Sequence, residues 1–456
     1  MPRVRQYDSA DMGFRPGFVW GAATSAFQIE GGRIDGKGQS IWDTFSDKGL
    51  LHDRGDLACD HYHRWPQDVA LMSELGLDAY RMSIAWTRVL PDGTGAINHK
   101  GLDFYQRLID AVLEAGITPW VTLYHWDLPQ MLQDVGGWAA RETVDAFLEF
   151  TDVVVGALGD RVGHWITHNE PWVAAILGYA AGMFAPGIRD WGQALMAGHH
   201  LLLSHGQSMA VIRSRVQGSR IGIALDCRPS RPSSPGAGDV DAWKHFDGYR
   251  NRWFFDPVFG RGYPDDMISR YRDMGRLSDL DWIRPGDLDV ISSPIDFLGI
   301  NYYTSSVISS GGEEDENSGV GPGPDPPPGF TETGWAVTPE SLTEFLIRIR
   351  TEYWKGPIYI TENGASYSDG PGADGVVNDP RRIDYLRGHL AAIESAIDAG
   401  VQVDGYFYWS LLDNLEWLAG FSQRFGLIHV DKETMVRTPK ASFHWYRDVI
   451  ARNGLG

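Results

Sequence analysis

Two glutamates stand at points where apolar runs of the sequence end. Glu362 follows the run IYIT and precedes an Asn-Gly pair, and Glu170 follows WITHN and precedes a proline. Glutamate is seldom fully buried unless it is paired, so a carboxylate placed directly after a β-type run needs a reason. Taken singly, each glutamate fits a structural ion pair equally well. The two gain a chemical meaning if the fold brings them to one place.

Two carboxyls that face each other across a pocket are the equipment for glycoside hydrolysis. One carboxyl protonates the leaving oxygen, and the other attacks the anomeric carbon or activates a water molecule. The sequence also contains 18 Trp, and indole rings pack well on the apolar C–H faces of sugars. Core packing explains any single Trp equally well. Three of them lie at or just beyond candidate strand ends, namely Trp126, Trp409 and Trp417.

Polar side chains that suit sugar hydroxyls lie in the same segments of the sequence. They are Gln28, His125, Asn169 and Glu416. A pocket reads a sugar by surrounding a stacked ring with hydrogen-bond donors and acceptors. These residue types therefore favour a carbohydrate ligand.

Positioning two distant glutamates requires a regular scaffold, and the sequence indicates one. Eight runs rich in β-branched and aromatic residues alternate with longer helical patterns, which predicts repeated βα units and a parallel sheet. The candidate strands are residues 18–24, 78–86, 117–126, 164–170, 220–226, 296–303, 358–364 and 404–410. Two helical patterns, over 103–116 and 381–400, each end at a glycine. Eight such units favour a (β/α)₈ barrel over an open doubly wound sheet.

The excess length falls in long βα loops at the carboxyl ends of the strands. Residues 228–239 follow the fifth candidate strand and 309–330 follow the sixth, and both are rich in Pro and Gly. This composition predicts little packed structure in either loop, including a solvated acidic run at 313–316. Neither loop indicates a linker, so we expect one catalytic barrel domain over residues 1–456.

A barrel gives the two glutamates a common location. The carboxyl ends of all eight strands converge on one face, where barrel enzymes build their active sites. Glu170 ends the fourth candidate strand and Glu362 lies near the end of the seventh. Both side chains are therefore expected at the mouth of the barrel, facing one pocket.

The charge of the chain limits its partners. The net charge is −20 and the isoelectric point is about 5.0, which disfavours nucleic acid and anionic membranes and suits a small neutral or cationic ligand. No run approaches the roughly 20 apolar residues of a membrane span, and the first twenty residues lack the apolar core of a signal peptide. Cytoplasmic location is the expectation, and a homo-oligomer stays open.

Cysteine and histidine positions predict neither a disulfide nor a metal site. Cys59 and Cys227 are far apart in the sequence, which indicates two buried thiols in a reducing compartment. His61 and His63 lack acidic or cysteine partners at ligand spacing, so no metal is expected. The pair His199–His200 lies in a helix-like segment and is expected to serve packing and surface roles.

Several motifs together resemble one enzyme family. The chain is similar to the β-glucosidases of glycoside hydrolase family 1 in THNEP at 167–171 and ITENG at 360–364. Further segments resemble the family in the same order, namely FVWGAATSAFQIEG, DHYHRWPQDVALMSELGLDAYRMSIAW, LYHWDLPQ, GINYYTS and YWSLLDNLEW. The resemblance covers nearly the whole chain. It implies a (β/α)₈ barrel that hydrolyses β-glycosides with retention and without a cofactor.

The resemblance also implies roles for individual residues. Glu170 corresponds to the general acid/base and Glu362 to the nucleophile, while Arg81 and Tyr303 match the residues that hold the nucleophile as a carboxylate. Asn169 matches the residue that contacts the sugar 2-hydroxyl, and Asn301 joins the supporting set. The residues that match substrate-binding positions are Gln28, His125, Trp126, Trp335, Trp409, Glu416, Trp417 and Phe425.

The substrate is defined in class and open in detail. Small β-glycosides or short oligosaccharides are expected, with a neutral sugar because a carboxylate at Glu416 would repel a phosphate. Met183 and Phe184 depart from the more polar residues of many members, which leaves the leaving group open. Three alternatives remain: a phospho-β-glycosidase, a catalytically silent sugar-binding barrel, and a thioglycosidase, which is expected to lack the acid at position 170.

Overall fold

Eight short apolar segments form parallel strands that pair side by side into a closed barrel. The computed structural model describes residues 13–311 and 329–456. The strands are β1 Val19–Ala23, β2 Ala79–Ser83, β3 Thr118–Tyr124, β4 His164–Asn169, β5 Arg220–Cys227, β6 Phe297–Tyr302, β7 Ile358–Asn363 and β8 Val403–Trp409. Each strand pairs with the next, and β8 closes the ring on β1. The predicted (β/α)₈ barrel is confirmed.

Helices connect the strands and surround the barrel. The longer ones are His61–Leu75, His99–Glu114, Glu142–Leu158, Trp191–Arg215, Ala237–Asp247, Asp265–Asp273, Pro339–Glu352, Pro380–Asp398 and Ala441–Arg452. The shorter ones are Ala26–Ile29, Ile41–Asp47, Trp86–Val89, Gln130–Gln133, Gly137–Ala139, Val173–Ala180, Gly248–Arg252, Trp253–Val258, Asp287–Ile291 and Trp417–Ala419. In His99–Glu114, Phe104, Leu108, Ile109 and Val112 form the predicted buried stripe.

The interior of the barrel is filled by side chains, as its diameter requires. Trp120 of β3 lies at the centre of this inner layer. Its ring centroid is 5.0 Å from that of Phe297, 4.7 Å from that of Tyr359 and 5.1 Å from that of Phe407. These rings fill the barrel on the amino-terminal side of the strand ends. The carboxyl ends of the strands therefore form the floor of the open face.

Bulges in two strands change the direction of side chains at the carboxyl ends of the strands. Between Ile360 and Glu362, β7 contains one more residue than the facing stretch of β6, where Asn301 directly follows Ile300. In β4 the register with β5 also shifts between Ile166 and Asn169. Because side chains alternate across a strand, one extra residue changes the side to which the following side chains point.

Gly364 follows these strand ends for a steric reason. A Cβ atom at this position would lie 1.7 Å from the backbone oxygen of Trp409, far inside van der Waals contact. Only glycine allows β7 to leave the barrel this close to the end of β8. The glycine in the ITENG motif is therefore a packing requirement of the neighbouring strand.

The loop after β5 is more ordered than its composition predicts, and that prediction was wrong. Residues Ser230–Pro232 form a short strand that pairs with Ser306–Ile308, and the helix Ala237–Asp247 begins inside the loop. A second strand supplies hydrogen-bond partners that composition cannot reveal. Of the loop after β6, residues 312–328 lie outside the described residues, and the acidic run at 313–316 lies among them.

Other expectations have mixed outcomes. His199 and His200 are both buried in the helix Trp191–Arg215, so a packing role is confirmed and a surface role is wrong. Cys59 and Cys227 are buried and unpaired. Among the described residues there is no cluster of three or more His, Cys, Asp or Glu side chains suited to a metal ion. No described helix combines the length and the apolar character of a membrane span.

Candidate active site

A pocket of about 130 Å³ opens at the carboxyl ends of the strands. The predicted site residues that line it are His125, Trp126, Glu170, Tyr303, Trp335, Glu362, Trp409, Glu416, Trp417 and Phe425. The remaining predicted residues, Gln28, Arg81, Asn169 and Asn301, lie directly behind this lining and hydrogen-bond to it. The fold therefore brings the whole predicted set together.

Glu362 is held by two donors, one on each carboxylate oxygen. Arg81 Nη1 lies 2.7 Å from Oε1, and the Tyr303 hydroxyl donates to Oε2 over 2.6 Å. Arg81 is itself fixed, because Nη1 also donates to the backbone oxygen of Thr361. This geometry leaves the carboxylate in one orientation, facing the pocket.

A chain of hydrogen bonds connects the two glutamates. Arg81 Nη2 donates to Asn169 Oδ1 over 2.5 Å, and Asn301 Nδ2 donates to the same oxygen over 3.0 Å. Asn301 Nδ2 also donates to Glu170 Oε1 over 2.7 Å. The side chains of β2, β4, β6 and β7 thus form one polar network beneath the pocket.

The surroundings separate the proton affinities of the two carboxyls. Burial raises the pKa of Glu170 well above its ordinary value, and the negative charges of Asp226 and Glu362 raise it further. Burial also raises the pKa of Glu362, but the Arg81 charge and the Tyr303 hydrogen bond oppose the rise. The shared proton therefore belongs on Glu170, and Glu362 is the ionised partner. Burial and the charge of Asp226 contribute more to the raised pKa of Glu170 than the charge of Glu362 does.

Three pocket residues have left-handed backbone conformations, which are rare outside glycine. The φ angles are +73° at Trp126, +48° at Glu170 and +45° at Trp417. Such conformations cost of order 1–3 kcal/mol and concentrate at functional sites. Each of these residues turns the chain sharply at the barrel mouth, which directs its side chain into the pocket.

One end of the pocket combines polar groups with stacked rings. Gln28 Nε2 donates to Glu416 Oε2 over 3.3 Å, and the Trp409 side chain forms a second hydrogen bond to this carboxyl. The ring of His125 stacks on Trp409 at 5.7 Å between centroids, and Trp126 lies 4.6 Å from Trp417. Within the described residues, His125 Nδ1 has no hydrogen-bond partner. This end can therefore offer several polar atoms to one sugar ring.

The charge of Glu416 differs from the expectation. Burial, together with the charge of Glu362, raises the pKa of Glu416 to about 8. This carboxyl therefore holds its proton near neutral pH. Charge repulsion of a phosphate by Glu416 is therefore weaker at neutral pH than the sequence predicts, and it grows as the pH rises through 8.

The lining of the pocket also contains residues that the sequence analysis missed. They are Trp172, Val173, Leu177, Asp226, Cys227, Arg228, Arg250, Thr304, Thr333, Leu418 and Ala419. Phe184, noted as a departure, joins them, and Trp335 packs 5.2 Å from Tyr303 between ring centroids. The sequence could have identified Asp226, because this residue ends a candidate strand at the same face as both glutamates. Cys227 is the last residue of β5, and the others lie in loops and helices that no strand pattern places.

Named relatives and a solved structure are similar to this chain over almost its entire length. Beta-glucosidase A of Acetivibrio thermocellus is 44% identical, with 97% of this chain and 99% of the relative covered. The 1,4-beta-D-glucan glucohydrolase of Thermotoga neapolitana is 43% identical, with 97% and 99% covered. The solved structure of the family 1 β-glucosidase from Thermotoga maritima superposes with a TM-score of 0.91 at 42% identity, covering 98% of this chain and 100% of that one.

A family model matches in the same way from end to end. The model for glycosyl hydrolase family 1 aligns with residues 10–455. That range includes both glutamates, the network between them and every strand of the barrel. The chain belongs to glycosyl hydrolase family 1.

Proposed function

We propose that this enzyme is a retaining β-glucosidase in which Glu362 is the nucleophile and Glu170 the general acid/base. The observation that carries the assignment is the contrast between the two buried carboxyls. Glu362 has a cation and a phenol as donors, whereas Glu170 has two carboxylates as neighbours and one amide donor. One catalytic domain over residues 1–456 accompanies the proposal.

In the first step Glu362 forms a covalent bond to the sugar. One of its carboxylate oxygens attacks the anomeric carbon from the α face while Glu170 donates its proton to the glycosidic oxygen, and the alcohol leaves. The Tyr303 hydroxyl and Arg81 hold the nucleophile in line. Asn169, fixed by Arg81 and Asn301, is placed to bind the 2-hydroxyl, a contact that strengthens as charge develops on the ring.

In the second step water releases the sugar. Once Glu362 is an ester it is neutral. One of the two negative charges that raise the pKa of Glu170 is then gone, so this pKa falls. Glu170 then removes a proton from water as the water oxygen attacks the anomeric carbon from the β face. The bond between that carbon and Glu362 breaks, which regenerates the Glu362 carboxylate. Two inversions at one carbon give net retention.

The end of the pocket that contains Glu416 favours an unphosphorylated sugar. Among the described pocket residues the arginines are Arg228 and Arg250. Arg228 directly follows β5 and donates from Nε to Ser306 Oγ, and Arg250 pairs with Asp226 of β5, so both lie on the Glu170 side of the pocket. A phosphate beside Glu416 would thus face a carboxyl and indole rings without a cation to stabilise it. Wild-type enzyme is expected to hydrolyse aryl β-glucosides and to discriminate against their 6-phosphates, increasingly above pH 8.

This expectation is measured as kcat/KM for para-nitrophenyl β-glucoside and its 6-phosphate at several pH values. The para-nitrophenyl α-glucoside serves as the control for anomeric specificity. An equal or higher kcat/KM for the phosphorylated substrate would refute the neutral-glycone proposal. Absence of hydrolysis of either β-substrate would refute the enzymatic proposal in favour of a sugar-binding barrel.

The pH dependence of kcat/KM tests the roles of the two carboxyls. A bell-shaped profile is expected, because activity needs Glu362 ionised and Glu170 protonated. Burial raises the pKa of both groups, so both limbs should lie above the range of ordinary carboxyls. Glu170→Gln should remove the basic limb and lower the rate on poor leaving groups by about 10²–10⁴-fold. An unaltered profile in this variant would remove Glu170 from the mechanism.

We further propose a cytoplasmic role on short β-1,4-linked glucans. The two buried, unpaired thiols favour a reducing compartment. The name of the Thermotoga neapolitana relative supports glucan chain ends as substrates. Release of glucose from cellobiose and cellotriose, compared with lactose, measures this preference directly.

A further inference from the structure

A second acidic side chain lies beside Glu170, and the two-step mechanism gives it no task. Asp226 is the penultimate residue of β5, and in the strand register it stands opposite Asn301, the residue that donates to Glu170. Asp226 is buried and lines the pocket. A buried charge is costly unless it is paired, so its location next to the acid/base calls for a reason.

Arg250 pairs with this carboxylate and is held in place on a second side. Its Nη1 donates to Asp226 Oδ2. Its guanidinium lies over the indole of Trp172, 3.6 Å from the ring centroid, and Trp172 follows Glu170 by two residues. Pairing and cation–π stacking together fix the arginine within the pocket wall. The ion pair is therefore built into the same wall as the acid/base.

The charges around Glu170 come from several elements. The groups concerned are Asp226 and Cys227 of β5, Glu362 of β7, Tyr303 after β6, Arg250 of the helical segment Gly248–Arg252, and Arg81 of β2 through Asn169. Burial raises the pKa of the Cys227 thiol and of the Tyr303 hydroxyl well above their ordinary values, so both are neutral. Asp226 and Glu362 raise the pKa of Glu170, and Arg250 lowers it.

The two negative neighbours of Glu170 behave differently during turnover. The charge of Glu362 disappears when the sugar ester forms, whereas Asp226 forms no bond to the sugar and stays paired with Arg250 through both steps. A persistent negative charge helps an acid to keep its proton in the first step, yet it hinders the same group from ionising for the second step. A cation that partly neutralises Asp226 resolves this conflict.

We propose that Asp226 and Arg250 are a positioning pair for Glu170, in which Asp226 favours proton donation in the first step and Arg250 offsets that charge so that Glu170 serves as base in the second. The inference rests on the role of Glu170 proposed above. It assigns the pair to the balance between the two half-reactions, and it predicts opposite effects from removing either member.

Opposite shifts of the basic limb are the expected result. Asp226→Asn removes a negative charge, so the basic limb of kcat/KM should move to lower pH by about one pH unit. Arg250→Gln leaves Asp226 unneutralised, so the limb should move to higher pH. The double variant should return towards the wild-type limb, because neither charge then remains. A merely structural pair would lower activity in all three variants without shifts of opposite sign.

The half-reactions provide a second readout. With dinitrophenyl β-glucoside, Arg250→Gln should slow release of the sugar relative to its attachment, so the pre-steady-state burst of dinitrophenol should grow. Arg250→Lys keeps the charge and should restore the wild-type limb in part. Arg252→Gln, which removes an arginine of the same helical segment that pairs with Asp266 and does not line the pocket, is the matched control and should leave the position of the basic limb unchanged.

Each outcome separates this inference from the role of Glu170. If Glu170→Gln removes the basic limb but neither Asp226→Asn nor Arg250→Gln moves it, the proposed pair is wrong and the acid/base assignment stands. If Glu170→Gln keeps the limb, the acid/base assignment itself fails. Asp226→Asn is isosteric, so it decides the inference alone if Arg250→Gln does not fold.

Discussion

Glu362→Gly supplied with azide is expected to convert an activated β-glucoside into the α-glucosyl azide. Without azide, loss of the nucleophile should lower kcat on the order of 10⁴- to 10⁶-fold, as for other nucleophiles that act within a unit. Azide can occupy the space vacated on the α face of the sugar and attack the anomeric carbon once. A single inversion then gives the α product, with Glu170 still present as acid.

Glu170→Ala with azide should give the opposite anomer. A dinitrophenyl leaving group needs little protonation, so Glu362 still forms the covalent intermediate. Azide then enters from the β face, faster than water that lacks its general base. The product is the β-glucosyl azide, and wild-type enzyme with azide is the control that releases β-glucose.

The coupling constant of the anomeric proton distinguishes these products by NMR. Exchanged anomers would show that the roles of Glu170 and Glu362 are reversed. If azide rescued neither variant, covalent catalysis itself would be contradicted. The pair of variants is therefore more informative than the loss of activity in either one.

Arg81→Met is expected to impair Glu362 as a nucleophile although Glu362 itself is unchanged. The variant removes the charge and the hydrogen bond that keep the pKa of Glu362 from rising further with burial. The pKa of Glu362 should therefore rise, and Glu362 should ionise only at higher pH. The acidic limb of kcat/KM should move to higher pH for this reason. Breaking a buried ion pair by removing one partner also costs about 3–5 kcal/mol of stability.

Arg88→Met is the matched control for this prediction. Arg88 is equally buried and donates from Nε to Glu30 Oε2 over 2.8 Å, but neither residue lines the pocket. This variant should lose comparable stability in thermal unfolding while its acidic limb stays in place. An acidic limb that is unchanged in Arg81→Met would contradict the role assigned to the Arg81–Glu362 pair. Arg81→Lys, which keeps the charge, should show a smaller shift.

The sequence by itself determined the barrel and which two glutamates meet at its mouth. Strands and helices follow from local periodicity, and the eight candidate strands match β1 to β8 to within a few residues. The rule that strand ends of a barrel converge then placed Glu170 and Glu362 together. Both inferences depend on neighbours along the chain, which a sequence displays directly.

Local patterns could not determine how each side chain meets the pocket. The bulge between Ile360 and Glu362 and the left-handed backbone at Glu170 exist because neighbouring strands supply hydrogen bonds that offset the irregularity. The ordered strand Ser230–Pro232 likewise exists because Ser306–Ile308 pairs with it. Such partners are distant in sequence, so composition predicted loop where pairing imposes structure.

Only the tertiary structure decided the electrostatics. The pKa of a carboxyl depends on burial and on charges within a few ångströms, and these come from different strands and loops. Sequence analysis therefore identified Glu416 as a carboxylate without revealing that burial raises its pKa to about 8. It likewise missed Asp226 and Arg250, because their importance lies in proximity to Glu170 and to Trp172 rather than in any motif. Residue types set the available chemistry, and the barrel sets which charges act on one another.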